Sequence, residues 1–366
     1  MTGIIVHEWL ERFGGAENVV DRFAALYPGA PIQALWNDAP GRFDPARVHE
    51  TWLARTPLRR RKALALPFQP QTWRHLGAQD AEWIVCSSHL FAHHARFAGP
   101  AREAPKHVYV HTPARYIWNP ELDERGNSVI VRAAAPALRA IDRTRAGEAA
   151  SVMANSAAVR DRIREHWGVD AGVIHPPVDV AGLRAPAALV PADSAVLDAL
   201  PSEYLLGASR FVPYKRLDVV IRAGAASALP VVLAGGGPER DALTTLAREL
   251  GVRLVLVDSP GRALLSELYR RSIAYVFPAV EDFGIMPVEA MATGTPVIGR
   301  TTGGVAESVQ DGVSGVLIED LAAFDGADFR SALDRASALD RAAVADSVLR
   351  FDTARFDHAV REWLPH

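Results

Sequence analysis

The sequence predicts an α/β protein with two doubly wound domains that face a central cleft. Short apolar segments alternate with longer helical patterns along the 366 residues, which is typical of βαβ units and parallel sheets. The chain is also longer than the roughly 250–300 residues at which a single core stops growing. The strand–helix pattern restarts halfway along the chain. These observations together indicate two domains.

The domain boundary is predicted at the adjacent prolines Pro176 and Pro177. Consecutive prolines hold the chain extended and cannot continue a helix. We therefore expect an N-terminal Rossmann-like domain over residues 1–178 and a C-terminal one over residues 179–345. Residues 346–366 are expected to form a helix that can pack back on the N-terminal domain.

Each half contains six apolar segments of strand length, with amphipathic helical patterns between them. In the first half the predicted strands are residues 4–7, 31–35, 83–86, 107–111, 151–154 and 173–174, with helices that include 17–27 and 157–167. In the second half the predicted strands are 204–208, 231–234, 253–257, 274–277, 296–299 and 315–317. Helices are predicted there over 216–226, 239–250, 263–271, 288–292 and 305–309, followed by a helical tail.

Composition excludes several functional classes. A formal net charge of −3 lacks the overall excess of basic residues that is typical of nucleic-acid-binding proteins. The N-terminus lacks the basic and apolar regions of a signal peptide, and no apolar run of about 18 residues is present. Cys86, the single cysteine, cannot form an internal disulfide. We expect a cytoplasmic protein that can lie peripherally on the inner face of the membrane.

The strongest motif is the segment from residue 281 to 298, which follows a predicted strand. Pro287 suits the first position of a helix and Gly294 suits its C-terminal stop. Glu281 is then expected on a loop above the strand end, and Glu289 in the first helical turn. Free amides around residues 284–286 would form an anion site at the helix N-terminus. Alternatively, Glu289 only complements the helix dipole.

This segment resembles the E-x-F-G-x-x-x-x-E and G-x-P-V signature of retaining group 1 glycosyltransferases of family four, which have the GT-B architecture. The resemblance implies that Glu289 binds the nucleotide ribose and that Glu281 binds a hydroxyl of the donor sugar. The donor sugar and diphosphate would meet the backbone of Phe283, Gly284, Ile285 and Met286. Asp282 and the sequence after it are similar to members that use GDP-mannose.

A second motif places Arg210 and Lys215 in a loop after a predicted strand. Two cations there can converge on a diphosphate and neutralise the departing nucleotide. A solvated basic loop is the alternative, but the spacing resembles the family's R-x-x-x-x-K-x-x-D motif. Asp218 is expected to cap or pair locally. Gly236 lies in a tight loop that resembles the family's G-x-G-P and allows close backbone approach.

The first half carries two further resemblances. Gly14 and Gly15 precede the first helix and are similar to the family's G-G-x-E loop, which would approach a phosphate or the acceptor. The preceding residues resemble a V-H-D-W-L opening, with Glu8 in place of Asp.

His111 begins a segment similar to H-x-P-x-R-Y-x-W, and the resemblance implies that it reaches the donor sugar across the cleft. A lone histidine at a strand end is otherwise structural. The pair Asn155 and Ser156 is expected to shape the cleft or cap the next helix.

The sequence predicts no bound metal and no cofactor, since the nucleotide sugar is a substrate. It contains no Asp-x-Asp pair and no Cys/His cluster with metal spacing. Charge on the leaving group would then fall on Arg210, Lys215 and helix amides. A Walker motif is also missing, which disfavours an NTPase.

A basic run that includes Arg59–Lys62, followed by apolar residues, predicts docking on an anionic membrane surface. A solvated basic helix or loop is the alternative. The resemblance favours docking, because related enzymes often glycosylate lipid-linked acceptors.

We expect a retaining, metal-independent glycosyltransferase that moves a hexose, from GDP-mannose in the first instance, to a glycan or lipid-linked acceptor. One alternative is a UDP- or dTDP-sugar enzyme with a small-molecule acceptor. Others are a nonhydrolysing sugar-nucleotide epimerase, which the segment from Glu281 disfavours, and an inactive nucleotide-sugar-binding module.

Overall fold

A computed structural model describes residues 2–12, 14–119, 129–186 and 188–364, with the side chains of residues 129–133 left aside. Its internal contacts divide the chain into two units. The first unit comprises Met1–Pro177 and Ala354–His366, and the second comprises Val178–Thr353. Each unit contains a parallel sheet covered by helices, which confirms the predicted α/β class.

The first unit contains a seven-stranded sheet in the order β3-β2-β1-β5-β7-β8-β9, in which every described pairing is parallel. A separate pair, β4 and β6, lies outside it. The strands are β1 Gly3–His7, β2 Ile32–Ala34, β3 Val48–Glu50, β4 Leu76–Ala78, β5 Trp83–Ser88, β6 Phe97–Ala98, β7 Lys106–Val110, β8 Ser151–Ala154 and β9 Gly172–Val173. Strands β3, β4 and β6 were not predicted, because such short and partly exposed segments carry little pattern.

Helices of the first unit flank this sheet. They are α1 Gly15–Leu26, α2 Lys62–Ala65, α3 Gln69–Arg74, α4 Arg115–Trp118, α5 Val129–Ala146 and α6 Ala157–Trp167. Ser156 caps α6, because its hydroxyl accepts the Val159 amide at 3.1 Å, as the capping alternative predicted.

The second unit contains a six-stranded parallel sheet in the order β12-β11-β10-β13-β14-β15. Its strands are β10 Leu205–Arg210, β11 Val231–Gly236, β12 Leu254–Asp258, β13 Ala274–Phe277, β14 Val297–Arg300 and β15 Gly315–Ile318. Its helices are α7 Val180–Arg184, α8 Pro191–Asp198, α9 Leu217–Ser227, α10 Arg240–Glu249, α11 Arg262–Arg271, α12 Ile285–Ala292, α13 Val305–Ser308, α14 Gly326–Ser337 and α15 Arg341–Ser347. All six strands lie within two residues of their predicted bounds.

The second unit continues past the predicted boundary at residue 345, to Thr353. Arg341 donates a hydrogen bond to the carbonyl of Arg270 at 2.9 Å, so α15 is tied to the end of α11. The Val178 amide donates to the carbonyl of Phe351 at 3.0 Å, which closes the unit at its two ends. These contacts extend the unit by eight residues.

The last described helix, α16 Thr353–Trp363, packs on the first unit. Phe356 and Val360 are buried in a cluster with Phe23 and residues of β1 and β2. Arg22 adds a hydrogen bond from Nε to Asp357 Oδ1 at 2.9 Å.

Strand order reverses beside the first strand of each sheet: β1 lies between β2 and β5, and β10 between β11 and β13. Ligands of such sheets bind at the carboxyl ends of the strands near that reversal. The loops after β1, β5, β10 and β13 are therefore the places to look for a site. Among the described residues, no helix is long and apolar enough to cross a bilayer.

Candidate functional site

The loops after β10 and β13 bring two predicted site residues into contact. Lys215 Nζ forms an ion pair with Glu281 Oε1, although 66 residues separate them in sequence. Both side chains are largely buried, with 12% and 22% of their surface exposed. The two strongest sequence motifs therefore meet at one point, where a cation and a carboxylate lie side by side.

Arg210, the other predicted cation, has a different setting. Its Nη2 donates to the hydroxyl of Tyr214 at 2.8 Å, and the Lys215 ammonium lies 4.9 Å from the centre of the Tyr214 ring. No carboxylate among the described residues forms an ion pair with Arg210. Its charge is therefore uncompensated and available to an anion.

The conformation of the loop between β10 and α9 is fixed by contacts among its own residues. Arg216 has φ 53°, and its guanidinium donates to both carboxylate oxygens of Asp218, at 3.0 and 3.1 Å. Asp218 thus pairs locally, as predicted. The turn orients Lys215 towards β13.

The end of β11 pairs directly with the end of β10. A Cβ on Gly235 would lie 1.8 Å from the carbonyl oxygen of Ser209, so a side chain there would clash. The Phe211 amide donates to the carbonyl of Gly236 at 2.8 Å. The predicted residue Gly236 therefore supports the Arg210 loop through its backbone.

Helix α12 begins earlier than the sequence predicts. It starts at Ile285 after Gly284, whose φ of 82° favours glycine, so Pro287 is the third helical residue and not the first. Proline is tolerated there because the amides of the first turn have no partner within the helix. As a result Glu289 lies in the second turn, which weakens the alternative that it only complements the helix dipole.

Glu289 is placed in a mainly apolar environment. Burial raises the pKa of its carboxyl to about 7, and nearby Arg262 offsets this only in part. Among the residues that the structure describes, none donates a hydrogen bond to this carboxyl. Hydrogen-bond donors from a ligand would therefore meet a partly buried carboxyl that no described protein donor occupies.

The other predicted contacts after Glu281 are held by packing. Phe283 is buried against Phe351, with ring centroids 5.3 Å apart. Ile285 and Met286 are partly buried against the same core. The Phe283 side chain therefore anchors the loop on which these backbone groups lie.

Gly303 and Gly304 belong to this site, and sequence reasoning missed them. The Gly304 amide donates to the carbonyl of Glu281 at 2.9 Å. A Cβ on Gly304 would lie 2.2 Å from the Cα of Phe283, so only glycine fits beneath the loop. The adjacent glycines after β14 were the available signal.

In the first unit, His111 follows β7 and is almost completely buried. Its Nε2 lies 2.8 Å from Ser87 Oγ, and its carbonyl accepts from Asn155 Nδ2 at 3.0 Å. Burial, with contributions from His89 and His7, holds the pKa of His111 well below its ordinary value. The imidazole is therefore neutral and fixed in orientation at neutral pH.

Helix α1 begins at Gly15, Gly14 is its N-cap, and the Glu17 side chain folds back over Gly14. A Cβ on Gly14 would lie 2.0 Å from Glu17 Oε2, which explains the glycine. Glu17 Oε1 accepts the Glu11 amide at 3.2 Å. The glutamate of this G-G-x-E loop therefore accepts a hydrogen bond from the backbone of its own unit.

Glu8, whose role the sequence left open, organises the loop after β5. Its Oε1 accepts the amides of Leu90 at 2.8 Å, Ala92 at 2.9 Å and His89 at 3.1 Å, and the Ser88 hydroxyl at 3.2 Å. Burial alone would raise the pKa of Glu8, but His89, His7 and these amides outweigh it and lower the pKa. Glu8 is an ionised, buried anchor.

The basic run is not uniformly available to a membrane. Arg59 forms an ion pair with Asp38 at 2.7 Å, and Lys62 forms one with Glu11. Arg60 and Arg61 are exposed and have no acidic partner among the described residues. Two of the four cations in the predicted segment are therefore available to an anionic membrane surface.

Two family models match the chain. The model described as Glycosyltransferase Family 4 matches residues 13–181, and the model described as Glycosyl transferases group 1 matches residues 195–327.

Curated relatives include D-inositol 3-phosphate glycosyltransferases. That of Mycolicibacterium vanbaalenii is 32% identical over 221 residues, covering 52% of this chain and 49% of the relative. That of Nocardiopsis dassonvillei is 37% identical over 191 residues, covering 47% and 44%. The chain thus spans about half the length of the curated relatives it matches.

Solved structures resemble the whole chain. Anabaena Alr3699/HepE in complex with UDP has a TM-score of 0.72 at 19% identity and covers 99% of both chains. Sucrose-phosphate synthase from Thermosynechococcus elongatus has a TM-score of 0.70 at 17% identity and covers 99% of this chain and 98% of that one. At these identities the likeness shows the fold.

Proposed function

Because this chain belongs to the group 1 glycosyltransferases, a family with the GT-B fold, we propose that it transfers a hexose from a nucleotide sugar to an acceptor hydroxyl. The donor would bind at the carboxyl end of the second sheet. The Lys215–Glu281 ion pair carries this proposal. A cation and a carboxylate at one point can bind a diphosphate oxygen and a sugar hydroxyl simultaneously.

Each of the surrounding groups binds a different part of the donor in this proposal. Arg210 and Lys215 bind the diphosphate, aided by backbone amides at the start of α12 and close approach at Gly236. Glu281 accepts a hydrogen bond from the sugar, and Glu289 accepts bonds from the ribose hydroxyls. The raised pKa of the Glu289 carboxyl supports the last assignment, because ribose donors would favour its ionised form.

The proposed reaction proceeds with retention of configuration by front-face displacement. The bond between the anomeric carbon and the diphosphate oxygen breaks, and a bond from the acceptor oxygen to that carbon forms on the same face. The leaving phosphate oxygen takes the proton of the acceptor hydroxyl. Arg210 and Lys215 stabilise the charge on the leaving group, so this step needs no added metal ion or cofactor.

We favour GDP-mannose as the donor and a glycan or lipid-linked acceptor. The resemblance around Asp282 supports the donor. A UDP sugar is the second candidate, since HepE, which shares the fold, has been solved with UDP and with UDP-glucose. The names of the curated relatives make a phosphorylated polyol a further acceptor to test.

A donor panel tests the proposal. GDP-mannose should raise the melting temperature of the protein more than UDP- or dTDP-sugars, and radiolabelled GDP-mannose should be turned over. Loss of both effects in Lys215→Ala, and their survival in Arg222→Ala on the exposed face of α9, would support the site. Preference for UDP-glucose would overturn the donor assignment. Binding without turnover across all donors and acceptors would favour the inactive module.

We also propose that the first unit docks on anionic membranes through a surface formed by Trp52, Leu64, Phe68, Arg60 and Arg61. The three apolar side chains are 54%, 50% and 47% exposed, so their apolar surface is accessible to a bilayer interface. Trp52 and Phe68 lie edge to face, with centroids 6.4 Å apart. Apolar groups beside unpaired arginines match an anionic bilayer surface. A peripheral location on the inner face of the membrane would follow.

A further inference from the structure

Three side chains in the first unit converge where its strand order reverses. His7 ends β1 and Glu8 follows it, while His89 follows β5, the neighbouring strand. One potential ligand atom from each of the three lies within 4.8 Å of the others. The sequence predicted no metal ligands, because residues 8 and 89 are brought together only by the fold.

Glu8 presents an unsatisfied oxygen to this point. Its Oε1 accepts all the hydrogen bonds described above, whereas its buried Oε2 accepts none from the described residues. Oε2 lies 3.2 Å from Nδ1 of His89. A buried anionic oxygen without a donor is costly, so a positive partner there would stabilise it.

His7 has the tautomer that suits coordination. Its Nδ1 lies 3.0 Å from the carbonyl oxygen of Ser87. A carbonyl can only accept, so Nδ1 carries the proton and the lone pair resides on Nε2. That Nε2 is completely buried and has no hydrogen-bond partner among the described residues. Histidines that bind metal ions typically donate their second N–H to a carbonyl or carboxylate in this way.

His89 completes the set. Its side chain is 25% exposed, and its Nδ1 has no hydrogen bond despite its position beside Glu8. Its ring lies 5.5 Å from that of His7 and 6.4 Å from that of His111, measured between centroids. The cluster therefore lies next to a predicted site residue.

A second cluster, His93, His94 and Asp142, lacks this character. Asp142 Oδ2 accepts from the indoles of Trp118 at 2.6 Å and Trp167 at 2.7 Å. Its Oδ1 lies 3.0 Å from His94 Nε2 and 3.1 Å from His93 Nε2. Both oxygens already have partners, so this cluster ties α4, α5 and α6 together.

We propose that His7, Glu8 and His89 bind a divalent transition-metal ion of the Zn²⁺ type. Two imidazoles and one carboxylate form a donor set that Zn²⁺ prefers, with a fourth position left for water or a substrate hydroxyl. Ligands about 2.0–2.1 Å from a tetrahedral ion are about 3.3 Å apart, close to the 3.2 Å between Glu8 and His89. The ion would hold the loop after β5 beside His111. It has no part in binding the diphosphate, which falls to Arg210 and Lys215.

The test measures metal content of the full chain. Protein treated with EDTA is incubated with Zn²⁺, desalted and analysed by mass spectrometry for metal. Wild type should retain about one ion per chain, and His89→Gln should bind at least roughly tenfold more weakly. His7→Gln should behave alike, but His7 is fully buried, so His89→Gln is the decisive variant. Circular dichroism checks that each variant is folded.

The exposed His49 supplies the matched control, and His49→Gln should retain metal like wild type. Co²⁺ should give the visible absorption of a four-coordinate ion in wild type and not in His89→Gln. Equal metal retention by wild type and His89→Gln would overturn the proposal. Loss of the ion in His94→Gln but not in His89→Gln would place it in the second cluster and overturn it as well.

Discussion

Lys215 and Glu281 form an ion pair at the carboxyl end of the second sheet. Each comes from a different motif, and the adjacency of β10 and β13 brings them together. If this ion pair only stabilised the fold, replacing one partner in a protein that still folds would leave turnover unchanged. If the pair binds the donor, replacing either partner lowers turnover.

Lys215→Ala should therefore lower kcat/KM by about 10²-fold or more, the scale of removing one charge-stabilising donor. Arg222→Ala, which removes an exposed cation from α9, should change it little. Steady-state kinetics and melting temperatures separate catalysis from folding. Turnover should not require added Mg²⁺ or Mn²⁺, and a strict requirement for either would contradict the proposed clamp.

Glu289→Gln should weaken binding of the free nucleoside diphosphate. Hydrogen bonds to a charged group are worth about 1.5–3 kcal/mol, so affinity should fall roughly 10- to 100-fold. Isothermal titration calorimetry measures this directly. Unchanged nucleotide affinity would show that Glu289 does not bind the ribose.

The same variant should change how stability depends on pH. The folded pKa of about 7 lies above the ordinary 4.5, so the folded state binds the proton more tightly than the unfolded state. The carboxyl's contribution is therefore complete below the ordinary pKa and is lost as pH rises towards 7. Between about pH 4 and pH 8 the loss amounts to roughly 3 kcal/mol.

Glu289→Gln lacks this titration, so in urea unfolding it should match wild type near about pH 4 and exceed its stability near about pH 8. A variant that gains stability while losing affinity would identify Glu289 as a binding residue held at the expense of the fold. The same stability difference at both pH values would refute the effect of burial on this carboxyl.

His111→Ala should reduce kcat strongly and leave GDP affinity nearly intact, if His111 contacts the donor sugar chiefly in the transition state. His107, at the other end of β7, provides the control, and His107→Ala should retain turnover. Because His111 is neutral at neutral pH, its contribution should show no titration near the ordinary histidine pKa. Wild-type turnover by His111→Ala would assign it a structural role.

Replacement of Arg60 and Arg61 by Gln should weaken sedimentation with anionic vesicles about fivefold per residue, since each basic group near the surface contributes about 1 kcal/mol. Arg59→Gln should have a smaller effect because Arg59 already pairs with Asp38. Salt should reverse binding, and donor hydrolysis in solution should persist. Equal binding to neutral vesicles would contradict electrostatic docking.

The sequence predicted features that depend on neighbouring residues. The strands of the second unit, the cap at Ser156 and the local pairing of Asp218 all follow from patterns within a few positions. The start of α12 was misplaced because Pro287 suits the first position, whereas Gly284 determines where the helix begins.

Contacts between distant segments had no local signal. Gly304 supports Glu281, Glu8 holds the loop at Leu90, and Asp38 occupies Arg59. These pairs join residues 21 to 82 positions apart, which only the fold places side by side. In the predicted basic segment, Arg59 and Lys62 form such pairs and are not available to a membrane surface.

Helix α16 also affects how the protein is made. Phe356 and Val360 fill the core of a unit whose other residues are synthesised first. During translation the first unit keeps an apolar surface exposed until the ribosome has synthesised the whole second unit and helix α16. The first unit therefore emerges before the second but is completed after it, and a ribosome that stalls before residue 354 leaves the first unit open to chaperones and proteases.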